Sequence, residues 1–174
     1  MKKIFIIIIC LTFFNCNSQK KCDIDKYLSM ERQDLAVMEI AFCLYSLGIG
    51  NLNNYQKDIV IINELEMEIN NGGFNQYYWN SSGNYANEVV NSLSKIGAYK
   101  TAEIVKTANL EFPNGIVPKD RGKRIEILNL IEEKSNKKWN SLDSKFYSQV
   151  NENGEFESIT DLLIDFIKKN KLKI

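Results

Sequence analysis

Residues 70–85 read NNGGFNQYYWNSSGNY, and this stretch decides how the helices on either side of it meet. Gly72 or Gly73 can adopt a positive φ, end the preceding helix after Ile69 and turn Phe74 back onto the apolar stripe of that helix. The predicted structural turn consists of Asn71, Gly72, Gly73 and Phe74. The polar side chains after it can bind backbone groups exposed by a sharp turn; they belong to Gln76, Asn80, Ser81 and Ser82.

Three consecutive aromatic residues follow the turn: Tyr77, Tyr78 and Trp79. Neighbouring helical positions point about 100° apart, so the three rings cannot all face one core. We expect Trp79 to pack mostly in the core and Tyr77 or Tyr78 to be the more exposed ring. Aromatic rings beside amides are typical of binding surfaces. The candidate binding surface comprises Gln76, Tyr77, Tyr78, Trp79 and Asn80, with Glu64 and Glu68 on the preceding helix.

Apolar residues recur at helical spacing on both sides of this stretch. Residues from Asp34 to Leu47 are apolar nearly all round, which predicts a buried central helix ended by Gly48 and Gly50. Residues Tyr55 to Asn70 carry one apolar stripe. Further helices are predicted from an N-cap at Asn84 to Gly97, from a cap at Thr101 to Phe112, from Asp120, around Trp139 to Phe146, and after Ser158. No window shows sustained strand alternation, so we predict an all-α fold, a single compact domain of six to eight helices.

The N-terminus has the layout of a secretory signal. Lys2 and Lys3 precede an apolar run from Ile4 to Phe14, and Cys16 follows that run. This order is typical of a bacterial lipoprotein, so we predict a signal peptide over 1–15, a polar tether over 16–30 and a helical domain over 31–174. The lipid on Cys16 would anchor the protein to a membrane of the cell envelope, facing outside the cytoplasm. Cys10 is a weaker alternative, and an uncleaved anchor or ordinary secretion are other interpretations.

Charge and composition narrow the function classes. Loss of Lys2 and Lys3 reduces 22 basic residues to 20 against 22 acidic ones, a net charge of −2, which favours neither nucleic acid nor an anionic membrane surface as a partner. The chain contains no His, the usual general base and a common metal ligand. We predict no metal, no cofactor and no enzymatic activity. Glu64 and Glu68 share a helix face, where they either act as a carboxylate pair or bind a cation, or else form a solvated face or a link to a nearby Lys.

Two cysteines remain after Cys16 in the predicted mature chain. Cys22 lies in the predicted tether and Cys43 in the most apolar helix. An oxidising compartment permits a disulfide between them. The apolar neighbours of Cys43 favour a buried free thiol instead.

Several short motifs carry a resemblance to a known family. They are Asn71-Gly72-Gly73-Phe74, Gln76-Tyr77, Asn80-Ser81 and Gly83, followed by helices that end at Ile96-Gly97-Ala98 and at Phe112-Pro113. Over about residues 59–124 the chain resembles an uncharacterised bacterial helical domain family that includes a DNA-mimic protein of DMP type. The resemblance implies an all-helical fold and, for the mimic, a dimer whose acidic surface occupies the DNA-binding face of a transcription regulator.

These observations predict a membrane-tethered, non-enzymatic helical lipoprotein that binds a protein partner. The alternative is a DNA-mimic inhibitor of a DNA-binding protein, which ranks second because basic residues cluster downstream of the motif. That cluster comprises Lys119, Arg121, Lys123, Arg124, Lys137 and Lys138. The third alternative is a small-ligand or enzymatic site near Glu64, Glu68 and Gln76.

Overall fold

The computed structural model describes residues 22–148 and 156–174. The predicted signal peptide and Cys16 lie outside these ranges. Seven α-helices are present in the described residues, as the all-α prediction requires. They are α1 (Ile24–Leu28), α2 (Gln33–Tyr45), α3 (Asn54–Trp79), α4 (Ala86–Ile96), α5 (Tyr99–Asn109), α6 (Arg121–Ser148) and α7 (Ile159–Asn170). Short 3₁₀ turns occupy Ile49–Asn51, Ser81–Tyr85, Pro113–Gly115 and Lys171–Lys173.

The central helix is α3, and not the 34–47 segment that its apolar composition suggested. Helix α3 packs against α2, α4 and α6. Its first turn is fixed by a capping box, in which the Asn53 side chain accepts from the backbone N–H of Gln56 at 3.1 Å and Gln56 Oε1 accepts from the Asn53 N–H at 3.0 Å. Helix α2 is covered on one side only, since Phe42 and Tyr45 are 46% and 51% exposed.

Sequence signals located some helix ends correctly and missed others. Helix α4 ends at Gly97, which adopts φ +93°, and Ser158 Oγ accepts the Asp161 N–H at 3.1 Å at the start of α7. Asn84 and Thr101 are not the N-caps that we predicted. Asn84 lies in a 3₁₀ turn, and Thr101 lies inside α5, whose first turn donates to the Glu157 carboxylate.

The two helices predicted between Asp120 and Phe146 form one 28-residue helix, α6. Its middle is polar but contains neither Gly nor Pro, so nothing interrupts the backbone hydrogen bonds. The Asp120 side chain accepts the Lys123 N–H at 2.9 Å at the beginning of this helix. Trp139, Leu142 and Phe146 on its second half are buried in the core.

The folded part begins earlier than residue 31. Residues 24–28 form α1, and Ile24 is buried against the core. Cys22 and Cys43 form a disulfide with 5.8 Å between their Cα atoms, so the prediction of a buried free thiol at Cys43 is wrong. Cys43 is only partly buried because α2 has an exposed side, and this leaves room for Cys22 to reach it.

Candidate functional site

A sharp kink divides α3 at the glycine pair. Gly73 adopts φ +73° and ψ −172°, a conformation open essentially to glycine alone. A Cβ on Gly73 would lie 2.3 Å from Asp143 Oδ2, while Asp143 Oδ1 accepts the Phe74 N–H at 2.9 Å. The glycines therefore kink the helix, and do not end it after Ile69 as predicted. Phe74 does turn into the core, where its ring lies 6.0 Å from that of Tyr78.

The polar residues after the kink bind a carboxylate from before it. Glu68 Oε2 accepts hydrogen bonds from Gln76 Nε2 at 2.7 Å and from Asn80 Nδ2 at 2.8 Å. Ser82 Oγ lies 3.3 Å from Glu68 Oε1. We call residues 71–83 the kink segment. Its amides were predicted to satisfy exposed backbone groups, whereas two of them hold Glu68 and thereby join the two halves of α3.

The exposed backbone groups of the kink segment are satisfied by Arg124 instead. This side chain is fully buried, and its guanidinium donates to the carbonyls of Tyr78, Asn80 and Pro118 at 2.7–2.8 Å. Burial lowers the pKa of this guanidinium. Gly83 allows the close approach, because a Cβ there would lie 2.9 Å from Arg124 Nε. The sequence indicated only that Arg124 belongs to a basic cluster.

The predicted basic cluster is not one surface. Arg124 is buried, and three of the other cations make separate contacts. Lys119 pairs with Glu88 at 3.1 Å and Lys138 with Glu111 at 2.7 Å. Arg121 Nε donates to the Trp79 carbonyl at 2.8 Å.

Two of the three aromatic rings predicted for a binding surface are not accessible. Tyr77 and Tyr78 are fully buried, and Trp79 is the ring that is partly exposed, so the expected order of exposure is wrong. The physical reason is that neighbouring helices cover more than one side of α3 after the kink. Tyr78 Oη donates to Asn109 Oδ1 at 2.7 Å, whereas the buried Tyr77 hydroxyl has no hydrogen-bond partner among the described residues. Burial and then the charge of Glu64 raise the pKa of Tyr77.

A groove of about 620 Å³ lies between α2 and α3. We call it the α2–α3 groove. It contains four of the predicted surface residues and Asn71 of the predicted turn. Its lining residues are Ala41, Phe42, Tyr45, Val60, Asn63, Glu64, Met67, Glu68, Asn71, Gln76 and Asn80. The structure thus brings together Glu64, Glu68, Gln76 and Asn80 but leaves Tyr77, Tyr78 and Trp79 out of the lining.

Glu64 is a charged group of the groove that remains available. Its carboxylate accepts no hydrogen bond and joins no ion pair in the described parts of the chain. Partial burial raises the pKa of the Glu64 carboxyl, and the charge of Glu68 raises it further. Within residues 22–148 and 156–174, no three acidic, Cys or His side chains are grouped so that they could hold a metal ion.

Phe42, Tyr45 and Met67 form an apolar rim on the groove that the sequence prediction missed. Each is between 43% and 51% exposed. The helical spacing of Phe42 and Tyr45 placed them on one side of α2, but the all-round apolar pattern hid which side faces solvent. None of the helices in the described residues is both long enough and apolar enough to span a bilayer.

Comparison with known proteins gave one match. A family model described as DMP19-like protein matches residues 50–170, which include α3 to α7 and therefore the whole kink segment. No curated protein and no solved structure matches the chain. Helix α2, which supplies one wall of the groove, lies outside the matched range.

Proposed function

Since the chain belongs to the DMP19-like protein family, we propose that it is a non-enzymatic binding protein that holds a protein partner in the α2–α3 groove. The observation that carries the proposal is the groove itself, where the Glu64 carboxylate, unpaired within the described residues, shares the lining with three exposed apolar side chains. Solvent-exposed apolar groups grouped around a concave surface are typical of binding sites.

Two features support binding in preference to catalysis. A mechanism with paired carboxylates needs two groups that can exchange protons or attack, but Glu68 already accepts hydrogen bonds from Gln76, Asn80 and Ser82. Cys43 is bonded to Cys22, so its sulfur is not a thiolate nucleophile. The chain contains no His, and Glu64 is the groove carboxylate that no described donor reaches.

We further propose that a lipid on Cys16 tethers the protein to a membrane outside the cytoplasm. The order of Lys2, Lys3, the apolar run and Cys16 supports this, and so does the Cys22–Cys43 disulfide, because such bonds persist in oxidising compartments. Labelling cells with a fatty-acid probe tests the anchor. We expect label on the wild-type protein and none on Cys16→Ala; equal label on both, or none on either, would contradict it.

Photo-crosslinking in the native envelope tests the groove as the binding site. A photoreactive residue is placed at Phe42 on the groove rim and, as a matched control, at Leu130 on α6, which is 84% exposed. We expect a discrete crosslinked partner from position 42 and none from position 130. Crosslinking that is equal at the two positions, or seen only at position 130, would place the partner elsewhere.

DNA mimicry is the second candidate, and one observation favours it. Residues 33–94 contain seven carboxylates and only one cation, Lys57, although the whole chain is formally neutral. The seven are Asp34, Glu39, Asp58, Glu64, Glu66, Glu68 and Glu88. Under this candidate the crosslinked partner is a DNA-binding protein that duplex DNA displaces, and the protein is a dimer in sedimentation experiments. A partner that is retained in excess DNA would remove this candidate.

A further inference from the structure

The described residues that line the α2–α3 groove carry a net negative charge. Two carboxylates line it, and no Lys or Arg is among the lining residues. Gln76 and Asn80 satisfy the hydrogen-bonding capacity of Glu68 but, being neutral amides, leave its negative charge in place. Among the described residues, Lys57 pairs with Glu88 and Lys95 with Asp58, so neither of these lysines forms an ion pair with Glu64 or Glu68. The groove therefore favours a cation as its occupant.

The other lining residues specify what kind of cation. Phe42, Tyr45 and Met67 present apolar surface at the rim, while the amides of Asn63 and Asn71 also contribute to the lining. A lysine or arginine side chain matches this distribution, since its apolar stem can pack on the rim and its charged end can reach a carboxylate. Aromatic rings at the rim add a cation–π attraction. A purely apolar occupant would instead cover an unpaired carboxylate, which is unfavourable.

We propose that the α2–α3 groove binds a basic side chain, lysine or arginine, of a polypeptide partner, with Glu64 as its ion-pair acceptor; this rests on the proposed binding function. The volume of about 620 Å³ lies in the range of small-ligand sites and exceeds that of one side chain. Residues flanking the basic one can therefore pack against the exposed rim. Exposed rings surrounding a buried anchor are typical of protein interfaces.

Calorimetry with short peptides tests the proposal on the full-length chain. The probes are acetylated, amidated pentapeptides of glycine, leucine, X, leucine and glycine, where X is lysine, arginine or acetyl-lysine. We expect the lysine and arginine peptides to bind and the acetyl-lysine peptide to bind roughly tenfold more weakly or not at all. Equal affinity for the acetylated peptide, or no binding of any peptide, would overturn the proposal. If cadaverine bound as tightly as the lysine peptide, the ligand would be a free diamine and not a polypeptide, which would also overturn the proposal.

Variants of the protein test whether Glu64 is the carboxylate that binds the basic side chain. Glu64→Gln keeps the shape of the side chain and removes its charge, and it breaks no hydrogen bond of the described fold. We expect it to weaken the lysine peptide roughly tenfold, whereas Glu126→Gln, a control at an exposed position on α6, leaves binding unchanged. Unchanged affinity in Glu64→Gln overturns the proposal. A natural partner that crosslinks at position 42 equally well in Glu64→Gln would keep the proposed function and overturn this inference, so the two failures are distinguishable.

Discussion

Two carboxylates one helical turn apart on α3 line the same groove in opposite surroundings. Glu68 accepts hydrogen bonds from side chains of the kink segment, whereas no described donor reaches Glu64. The difference extends to the regions around them. Most polar side chains of the kink segment stabilise the fold through hydrogen bonds. The Glu64 carboxylate in the groove, by contrast, has no described donor. Amide-rich sequence here builds the support of a candidate site, and the binding groups lie on the helices beside it.

The strongest test of the kink segment as support is to remove its buried cation. Arg124→Met keeps much of the side-chain volume but removes the donor to four backbone carbonyls and to Asn84 Oδ1. We expect the free energy of unfolding to fall by about 3–5 kcal/mol, measured by urea denaturation. Arg121→Met is the control, because Arg121 is exposed and makes one hydrogen bond to the kink segment. A similar small loss in both variants would show that the carbonyls find other donors.

A substitution that strains the backbone of the kink should give the next largest loss of stability. Gly73→Ala places a Cβ at positive φ and within 2.3 Å of Asp143 Oδ2, so we expect a loss of about 2–3 kcal/mol. Gly50→Ala is the matched control, since no atom lies within 4 Å of a Cβ there and its φ is not positive. Thermal melts of both variants compare them directly. Equal melting temperatures would mean that the helix accommodates a different kink.

Two neighbouring tyrosines of the kink segment allow a buried hydroxyl that has a hydrogen-bond partner to be compared with one that has no described partner. Tyr78→Phe removes the hydrogen bond to Asn109 and leaves a buried acceptor, which should cost about 1–2 kcal/mol. Tyr77→Phe removes a buried hydroxyl that has no described partner, so stability should stay the same or rise. Urea midpoints of the two variants decide the comparison. A larger loss for Tyr77→Phe would indicate a hydrogen bond to a bound water.

The smallest expected change in stability is the pH dependence that Glu64 contributes. It distinguishes the groove from the kink segment most directly. Folding raises the pKa of Glu64. The folded protein therefore binds more protons than the unfolded chain over the pH interval just above the ordinary pKa of glutamate. Stability therefore falls as the pH rises through that interval, and Glu64→Gln escapes this loss. We expect Glu64→Gln to be as stable as wild type or more stable at neutral pH, with the difference vanishing in acid. Glu68→Gln should instead lose about 1 kcal/mol at neutral pH, and melts recorded across pH measure both.

The helices and the groove differed in how far they could be predicted. Local signals such as Gly97 and Ser158 located helix ends, because a positive φ or a capping oxygen acts on neighbouring residues. Local signals also placed Glu64 and Glu68 on one face. The role of Arg124 could not be predicted, since its acceptors lie more than 40 positions earlier in the kink segment or in the loop just before α6. Nor could an apolar helix reveal that Phe42 stays exposed, because that depends on which side of α2 meets α3.

The Cys22–Cys43 disulfide limits the length of the tether that would join this protein to a membrane. With a lipid on Cys16, six residue steps would separate the lipid from Cys22, and a chain of that length spans at most about 20 Å. That is less than the diameter of a small domain, so a protein anchored in this way would keep the end that carries the disulfide close to the bilayer. This end also contains the C-terminal Ile174, and Lys171 there pairs with Asp25 of α1. A lipid on Cys16 would thereby restrict tumbling, and the search for a partner would become two-dimensional, within a thin layer above the bilayer.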